Sequence, residues 1–502
     1  MNSRFMRWLV ASAALAMFAG ACGDDGKEGA TSTTATGPTT TVKNTASDTG
    51  VTETGIKIAI HSADLSGLIK GGFIKGVPED AHTQNALRIS YYLDKWNAEG
   101  GINGRKFTYE IVTWDPADPK TYQNSCQTII DGKFFMVIAS GGGFPGDSMP
   151  CITNEGKTQY MGLDPVSAKQ MKDAGGNLIN LAPPGTANAQ AGIEALVKNT
   201  SVLPKTAKLA VLRGDFDYQI EAYNEVDKVL KREGITPVFS DVVKVANISA
   251  ADSIKNVSLA VERVKAAGAT HMLIMLQFGQ VSAFATEATK SGLSLKYMYL
   301  DIASGMCQTF TASQLPQELD GSVCLTHWNN MRWDTNGTVA QDTPFEAQCR
   351  KEFEEIYTKN PIGKGFPSLT KTNPGVSYPG IKDGSGKQID MDQSFYECGL
   401  MAIVRTGIEG AGANLTKKTY QDAIFKKKDF EAPGLAGSKG TIEANKPWLT
   451  SSVQQIVVTT NPTGFSGTVD AKGLYGPGRC PSPLGCWRTV PNTVTPLTYR
   501  LS

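Results

Sequence analysis

Lys208-Leu209-Ala210-Val211-Leu212-Arg213 and His271-Met272-Leu273-Ile274-Met275-Leu276 are short apolar runs, and what lies around them decides the fold class. Residues 218–233 and 251–267 between them read as amphipathic helices, with a β-branched strand at 238–243. A helix at 185–198 precedes the set, after Pro183-Pro184, and a helix at 280–291 and a strand at 297–300 follow it. Strands alternating with helices must pair in parallel, because each helix carries the chain back across the sheet. Such a sheet is covered on both faces.

The same order appears earlier. Ile56-Lys57-Ile58-Ala59-Ile60 is a strand, and residues 79–99 form a helix on which Ala86, Ile89, Leu93 and Trp96 recur at helical spacing. That helix stops at Gly100-Gly101, as helices prefer. A strand at 107–113, a helix at 121–131 and strands at 134–139 and 159–163 complete the unit. The fold class is therefore α/β, with two Rossmann-like lobes built on parallel sheets. Further on, 343–359 and 393–410 read as helices, 361–390 as a Gly/Pro-rich surface excursion, and 453–459 as a strand.

The first residues are a targeting segment. Arg4 and Arg7 precede an apolar stretch, Trp8 to Ala21, too short to span a bilayer. It ends in Ala19-Gly20-Ala21-Cys22, which resembles a bacterial lipobox, although that pattern usually has Leu where Ala19 stands. The resemblance implies cleavage before Cys22 and lipidation of its thiol. The alternative is an ordinary secretory signal with Cys22 incidental. Residues 23–50 are rich in Gly, Thr, Ser and Asp and lack aromatics, a composition that cannot offset its own ordering entropy. They are expected to be a flexible leash.

The expected organisation is a signal peptide over 1–21 and a tether over 22–53. The first lobe takes 54–182 and 326–440, the second takes 183–325, and 441–502 returns to the second lobe with extra loops. The formal net charge is +1 with both signs interspersed, which argues against a nucleic-acid partner. Of nine cysteines, setting Cys22 aside leaves an even set, as a disulfide framework in an exported chain would have. The neighbour scheme Cys126–Cys151, Cys307–Cys324, Cys349–Cys398 and Cys480–Cys486 closes each pair within one structural unit. His61, His82, His271 and His327 are far apart and no Cys/His array is present, so neither a metal nor a cofactor is expected.

Ligands of open parallel sheets bind beyond the carboxyl ends of the strands. The loops there carry Asp64, then Ser140, Gly141, Gly142 and Phe144, then Asp164 and Ser167. In the second unit they carry Asp215, Asp217 and Tyr218, then Gln277 and Phe278, then Asp301 and Ser304. Hydroxyls, carboxylates and aromatics from two lobes suit a small-molecule site. Each Ser or Asp there could equally be a helix N-cap.

The stretch Asn97-Ala98-Glu99-Gly100-Gly101-Ile102-Asn103-Gly104-Arg105, with the run 56–67 before it and Asp115-Pro116-Ala117-Asp118-Pro119 after it, resembles the type I periplasmic binding proteins. Within them it is similar to the branched-chain amino acid (Leu/Ile/Val) group that serves ABC importers. The resemblance runs from about Ile56 to Gly305. It implies two lobes joined by a hinge, which close on a solute and deliver it to a permease and its ATPase subunits. It also implies that Ser140, Gly141 and Gly142 hold a ligand carboxylate with help from residues 166–168, that Tyr218 closes over the ligand, and that Asp301 meets its ammonium. The expected protein is then a monomeric lipoprotein on the extracytoplasmic face of the cell membrane. It would capture an amino acid or a related small organic acid or amide. A ligand-sensing receptor on the same clamp is the alternative.

This sequence departs from that pattern in three places. Asp164 stands where Ser is commoner, residues 61–77 form a longer loop carrying Lys70 and Lys75, and the last third has extra loops and cysteines. Which solute is bound stays open. Enzyme signatures are thin: Ser368-Leu369-Thr370-Lys371 matches an SxxK, but the KTG-like Lys290-Ser291-Gly292 precedes it, the wrong order for penicillin-binding proteins. No enzyme activity is expected.

Overall fold

The computed structural model describes residues 43–71, 81–116, 118–140, 149–246, 248–302, 307, 315–328, 335, 343–354, 395–432, 434–437, 439–460 and 486–502. A first sheet holds β1 (Gly55–Ala63), β2 (Lys106–Trp114), β3 (Met136–Ser140), β4 (Gln159–Gly162) and β5 (Leu178–Asn180), all parallel, in the order β2-β1-β3-β4-β5. Between these strands run α1 (Ser66–Lys70), α2 (Ala81–Ala98), α3 (Pro119–Asp131), a π-helical turn (Cys151–Glu155) and α4 (Ala168–Asp173). Ile56, Ile58 and Ile60 of β1 pack with Ile89, Leu93 and Trp96 of α2, and Ala59 packs on the other face with Cys126 and Ile129 of α3. A strand buried on both faces needs consecutive apolar residues, which Ile58-Ala59-Ile60 supplies at the middle of β1.

After β5 come α5 (Gly185–Lys198), β6 (Leu209–Gly214), α6 (Asp217–Arg232), β7 (Phe239–Val243), α7 (Ala250–Ala266), β8 (His271–Met275), α8 (Phe278–Lys290), β9 (Lys296–Leu300) and β10 (Val323–Thr326). These strands make a second sheet in the order β7-β6-β8-β9-β10, again parallel. The two sheets thus repeat one topology, as the alternation predicts. The chain then returns to the first sheet with α9 (Pro344–Glu354), α10 (Phe395–Ala411) and α11 (Lys417–Lys426), α10 packing on α2 and β4. A two-stranded ribbon, β11 (Phe430–Glu431) with β12 (Lys439–Gly440), precedes β13 (Ser452–Thr459), which joins β10 antiparallel in the second sheet. β14 (Cys486–Thr489) and β15 (Thr495–Pro496) both pair with β13.

The glycine-rich run after α2 is a clamp. Gly101 sits at φ 87°, and a Cβ there would lie 2.1 Å from the Arg105 carbonyl oxygen, so the turn requires glycine. The turn buries Arg105, whose guanidinium donates to the carbonyls of Thr52, Gly412, Thr45 and Ala413 at 2.6–3.0 Å. Two of these acceptors follow the end of α10, where helix carbonyls lack partners. Asn103 at φ 51° donates to two more, Ile408 and Glu409.

The other acceptors belong to residues expected in the leash, and here the structure corrects the composition. Ser47 donates to the Leu415 carbonyl, Asp48 pairs with Lys417 at 2.9 Å, and Val51 is buried. The body therefore begins near Asn44, because Arg105 and Lys417 supply partners that composition cannot reveal.

Three expected disulfides are present. Cys126–Cys151 ties α3 to the π-helical turn, Cys307–Cys324 ties the loop after β9 to β10, and Cys349–Cys398 ties α9 to α10. The fourth involves Cys480, outside the described residues, as are 361–390 with Ser368 and Lys371. Among the described residues no helix is long and apolar enough to cross a membrane.

The chain crosses between the sheets three times: at 181–184 after β5, at 327–328 after β10, and at 449–451 before β13. The first and third run side by side: Leu449 and Thr450 donate their N–H groups to the carbonyls of Asn180 and Leu181, both at 3.1 Å. Beside the third crossing Lys446 is buried, its Nζ donating to the carbonyls of Thr441, Trp448 and Leu449 at 2.7–3.1 Å. Burial, with Arg500 nearby, pushes its pKa down to about 8, against the opposing pull of Glu443.

A lysine with a depressed folded pKa costs stability while it is charged in both states. Above pH 8 the folded chain has released a proton that the unfolded chain keeps to about pH 10, so stability rises with pH across that window. Higher still, buried Tyr92, Tyr160 and Tyr420, whose pKa values burial raises, reverse the slope. Urea unfolding at pH 7.5 and 9.5 should show wild type gaining roughly 1–2 kcal/mol relative to Lys446→Met. Parallel behaviour of the two proteins would sink this account of Lys446.

Candidate functional site

In each sheet the strand order reverses direction next to its first strand, between β1 and β3 and between β6 and β8. At such switch points the loops leave to opposite sides and open a crevice beyond the carboxyl ends. The residues singled out from the sequence all follow those ends, but they do different work.

Asp64 is half-buried, and its Oδ1 accepts the Ser66 N–H at 2.9 Å, opening α1. Ser140 ends β3 in register with Ser62. Its side chain, Gly141, Gly142 and Phe144 lie outside the described residues, as does Lys75; Lys70 is exposed on α1. Ser167 is the N-cap of α4: its Oγ accepts from Gln170 N–H, whose side chain accepts from Ser167 N–H. That capping box accounts for its hydroxyl. Asp217 opens α6, and Asp215 accepts the N–H groups of Val245 and Ala246 at 2.7 Å each, fixing the loop after β7.

Tyr218 is buried on α6, stacked on Phe216 with centroids 5.7 Å apart, and its hydroxyl meets Gln277 Nε2 at 3.4 Å. Gln277 is the N-cap residue of α8, its N–H bonded to Gln280, and Phe278 begins that helix with its side chain outside the described residues. Asp301 is buried: Thr326 Oγ1 donates to its Oδ2 at 2.7 Å and Asn188 Nδ2 to its carbonyl at 2.5 Å. Ser304 lies outside the described residues. Asp301 also lies near Cys307 and Cys324, but their sulfurs are joined as a disulfide, so the trio is not a metal centre.

Asp164 stands at the centre of a group that the sequence did not reveal. Its Oδ2 accepts the Tyr160 hydroxyl at 2.6 Å, and its backbone is held from both sides by the Asn180 carboxamide. The carboxylate folds back over β4 because Gly162 has no side chain; a Cβ there would lie 2.7 Å from Oδ2. On the same face stand His61 and, from α3, Tyr122, with their rings edge to face at 5.5 Å. Trp114 closes the group, 5.1 Å from Tyr122. Ser125 gives its proton to the Tyr122 carbonyl, so the 3.1 Å contact with His61 Nε2 makes that nitrogen the donor. Burial holds His61 neutral, with its pKa near 4. The Tyr122 hydroxyl is buried and has no hydrogen-bond partner among the described residues. An orphaned hydroxyl inside a protein calls for a partner.

At the second sheet, His327 Nδ1 faces Asn188 Nδ2 at 3.3 Å, and burial takes the pKa of His327 to about 3. Among the described residues Asn188 Oδ1, His327 Nε2 and Trp328 Nε1 are buried without partners. The sequence did carry one signal for the first group. Tyr122, Ser125, Cys126 and Ile129 share one face of α3 at helical spacing, so that face turns polar toward the strand ends. A groove of about 350 Å³ at the amino ends of β9 and β10 lies at the other end of the second sheet from these groups.

A sequence model described as periplasmic binding protein matches residues 83–361. No curated protein matches the sequence significantly. Among solved structures, a fatty acid ABC transporter substrate-binding protein from Thermomonospora curvata superposes with a TM-score of 0.56 at 14% identity, over 86% of this chain and 94% of that one. A solute-binding protein of an ABC transporter from Rhodopseudomonas palustris BisB5, in complex with 3,4-dihydroxybenzoic acid, gives 0.55 at 13%, over 89% and 98%. A leucine-binding protein from Thermotoga maritima MSB8 gives 0.54 at 13%, over 84% and 99%. At such identities these likenesses speak for the fold alone, and it is the fold built above. With two repeated parallel sheets, three crossings between them and a family match over more than half its length, the chain belongs to the periplasmic binding protein family.

Proposed function

We propose that the chain is the lipid-anchored, extracytoplasmic solute-binding component of an ABC importer. The crossings at 181–184, 327–328 and 449–451 act as its hinge, and Cys22 carries its anchor. The solute is held between the carboxyl ends of the two sheets, and closure presents both lobes to a permease.

The Tyr122 hydroxyl, buried beside the Asp164–Tyr160 pair and without a partner among the described residues, carries the finer reading. A group of the solute completes that site. A solute carboxylate there would face the like charge of Asp164, whereas a hydroxyl, ammonium or amide N–H is compatible with it. This points away from a plain branched-chain amino acid with its carboxylate in the first lobe. It favours a solute whose polar, hydrogen-bond-donating end enters the first lobe, as in a hydroxylated acid, an amine or an amide.

Thermal unfolding with amino acids, hydroxylated and deoxy aromatic acids, amides and urea-like compounds tests both levels. A binding solute at a hundred times its Kd stabilises the fold by about 2.7 kcal/mol. Tyr122→Phe should weaken the best binder up to about tenfold, the worth of one hydrogen bond. Unchanged affinity removes Tyr122 from the site, and an absence of stabilisation by every class counts against solute capture itself.

A further inference from the structure

Residues 490–502 lie beyond the matched family region and take a path that strand patterning does not anticipate. After β14 the chain keeps running antiparallel along β13: Val490 N–H donates to the Gln455 carbonyl, and Thr495 then pairs with Val453 and Pro496 with Ser452. It then leaves the second sheet and follows the third crossing in the opposite direction. Leu497 N–H donates to the Ser451 carbonyl and Leu501 N–H to the Asn445 carbonyl, both at 2.9 Å. Leu497 is buried in a cluster with Trp448, Val453 and Ala187, and Tyr499 and Leu501 pack against that cluster.

The third crossing is thus the middle strand of a three-stranded ribbon. On one edge it bonds to the first crossing at Asn180 and Leu181, and on the other to residues 497–501. The two bonds on that second edge straddle the crossing, with Ser451 on the side of β13 and Asn445 on the side of the first sheet. A rotation of the sheets that bends residues 449–451 must stretch or break one of them.

We propose that residues 495–501 are a splint across the hinge that sets how readily the two sheets swing apart. The splint acts without bridging the sheets covalently, because its bonds hold only while the third crossing keeps its present curvature. Removing it should shift the balance toward other relative orientations, as any loss of contacts made in one state only must do. The inference rests on the three crossings being the hinge, but its test needs no solute and so stands apart from the question of what is bound.

Amide hydrogen exchange on the full chain, compared with Leu501→Pro and with a chain ending at Thr498, decides it. Proline at 501 removes the N–H that reaches Asn445, and the shorter chain removes the same bond while leaving β15 in place. Protection at Leu449 and Thr450 should fall about tenfold in both variants, with Ile58 in β1 and Val211 in β6 unchanged. Small-angle scattering of the solute-free variants should show a larger radius of gyration. Unchanged exchange at 449 and 450 overturns the splint. Equal acceleration in both sheets also overturns it, since that is what a purely stabilising strand would give.

Discussion

Arg105→Met should lower the unfolding free energy by about 3–4 kcal/mol and free residues 44–51 from the body. The guanidinium satisfies four carbonyls at once in a fully buried position. A hydrogen bond from a charged donor is worth about 1.5–3 kcal/mol, and a buried acceptor left without one costs about 1–3. Some of these carbonyls regain water once the segment lifts, so the total falls well short of four such losses. Urea unfolding measures the loss. Faster amide exchange at Thr45 and Lys417, bonded to Ala413 and Asp48 in the wild type, shows that the segment has lifted. Arg105→Lys should recover less than half of the difference, because an ammonium cannot reproduce the spread of a guanidinium fork. A methionine variant within about 1 kcal/mol of wild type would remove the clamp from the account.

Glu397→Ala should cost about 3–5 kcal/mol. Its Oε2 accepts from Arg88 Nε at 2.7 Å between α10 and α2, with the two side chains only 2% and 6% exposed. Taking away the carboxylate removes a charge-assisted bond made in a low-dielectric interior, where Glu397 helps to offset the desolvation of the guanidinium. The double replacement Arg88→Met with Glu397→Leu should recover part of that loss, since a buried ion pair repays little more than its own desolvation. If the double variant is as unstable as the single one, the pair holds α2 and α10 in register and is not merely self-compensating.

Much of the architecture is legible in the sequence because its strands are short apolar runs and its helices have clean periodicity. The helix read at 185–198 has those bounds in the structure. The misses have physical causes. Val323-Cys324-Leu325-Thr326 is only four residues long and becomes a strand by lying between β9 and β13. α11 is rich in lysine and buries only Tyr420, Gln421 and Ile424, too few to stand out as a face. β15 is two residues including a proline, tolerable only because it lies at a sheet edge.

The candidate site was half legible. Strand ends point to loops whatever their composition, so Asp164 and Asp301 could be singled out from order alone. Their partners could not. Tyr122 comes beside Asp164, and His61 beside Tyr122, only because α3 packs over the face of the sheet that β1 and β4 share, across 40 or more residues of chain. Ser167 and Gln277 show the opposite case, in which a polar residue after a strand turns out to begin a helix.

The docking of residues 44–51 also has a mechanical side. These residues lie beside the start of β1, at the end of the first sheet away from Asp164 and Tyr122. Any pull on the chain ahead of Lys43 is received there, by the Asp48–Lys417 pair and the Arg105 bonds loaded together in shear. Little of that load should reach the three crossings, so under the proposed anchoring a pull on the leading end would leave the proposed hinge free to move.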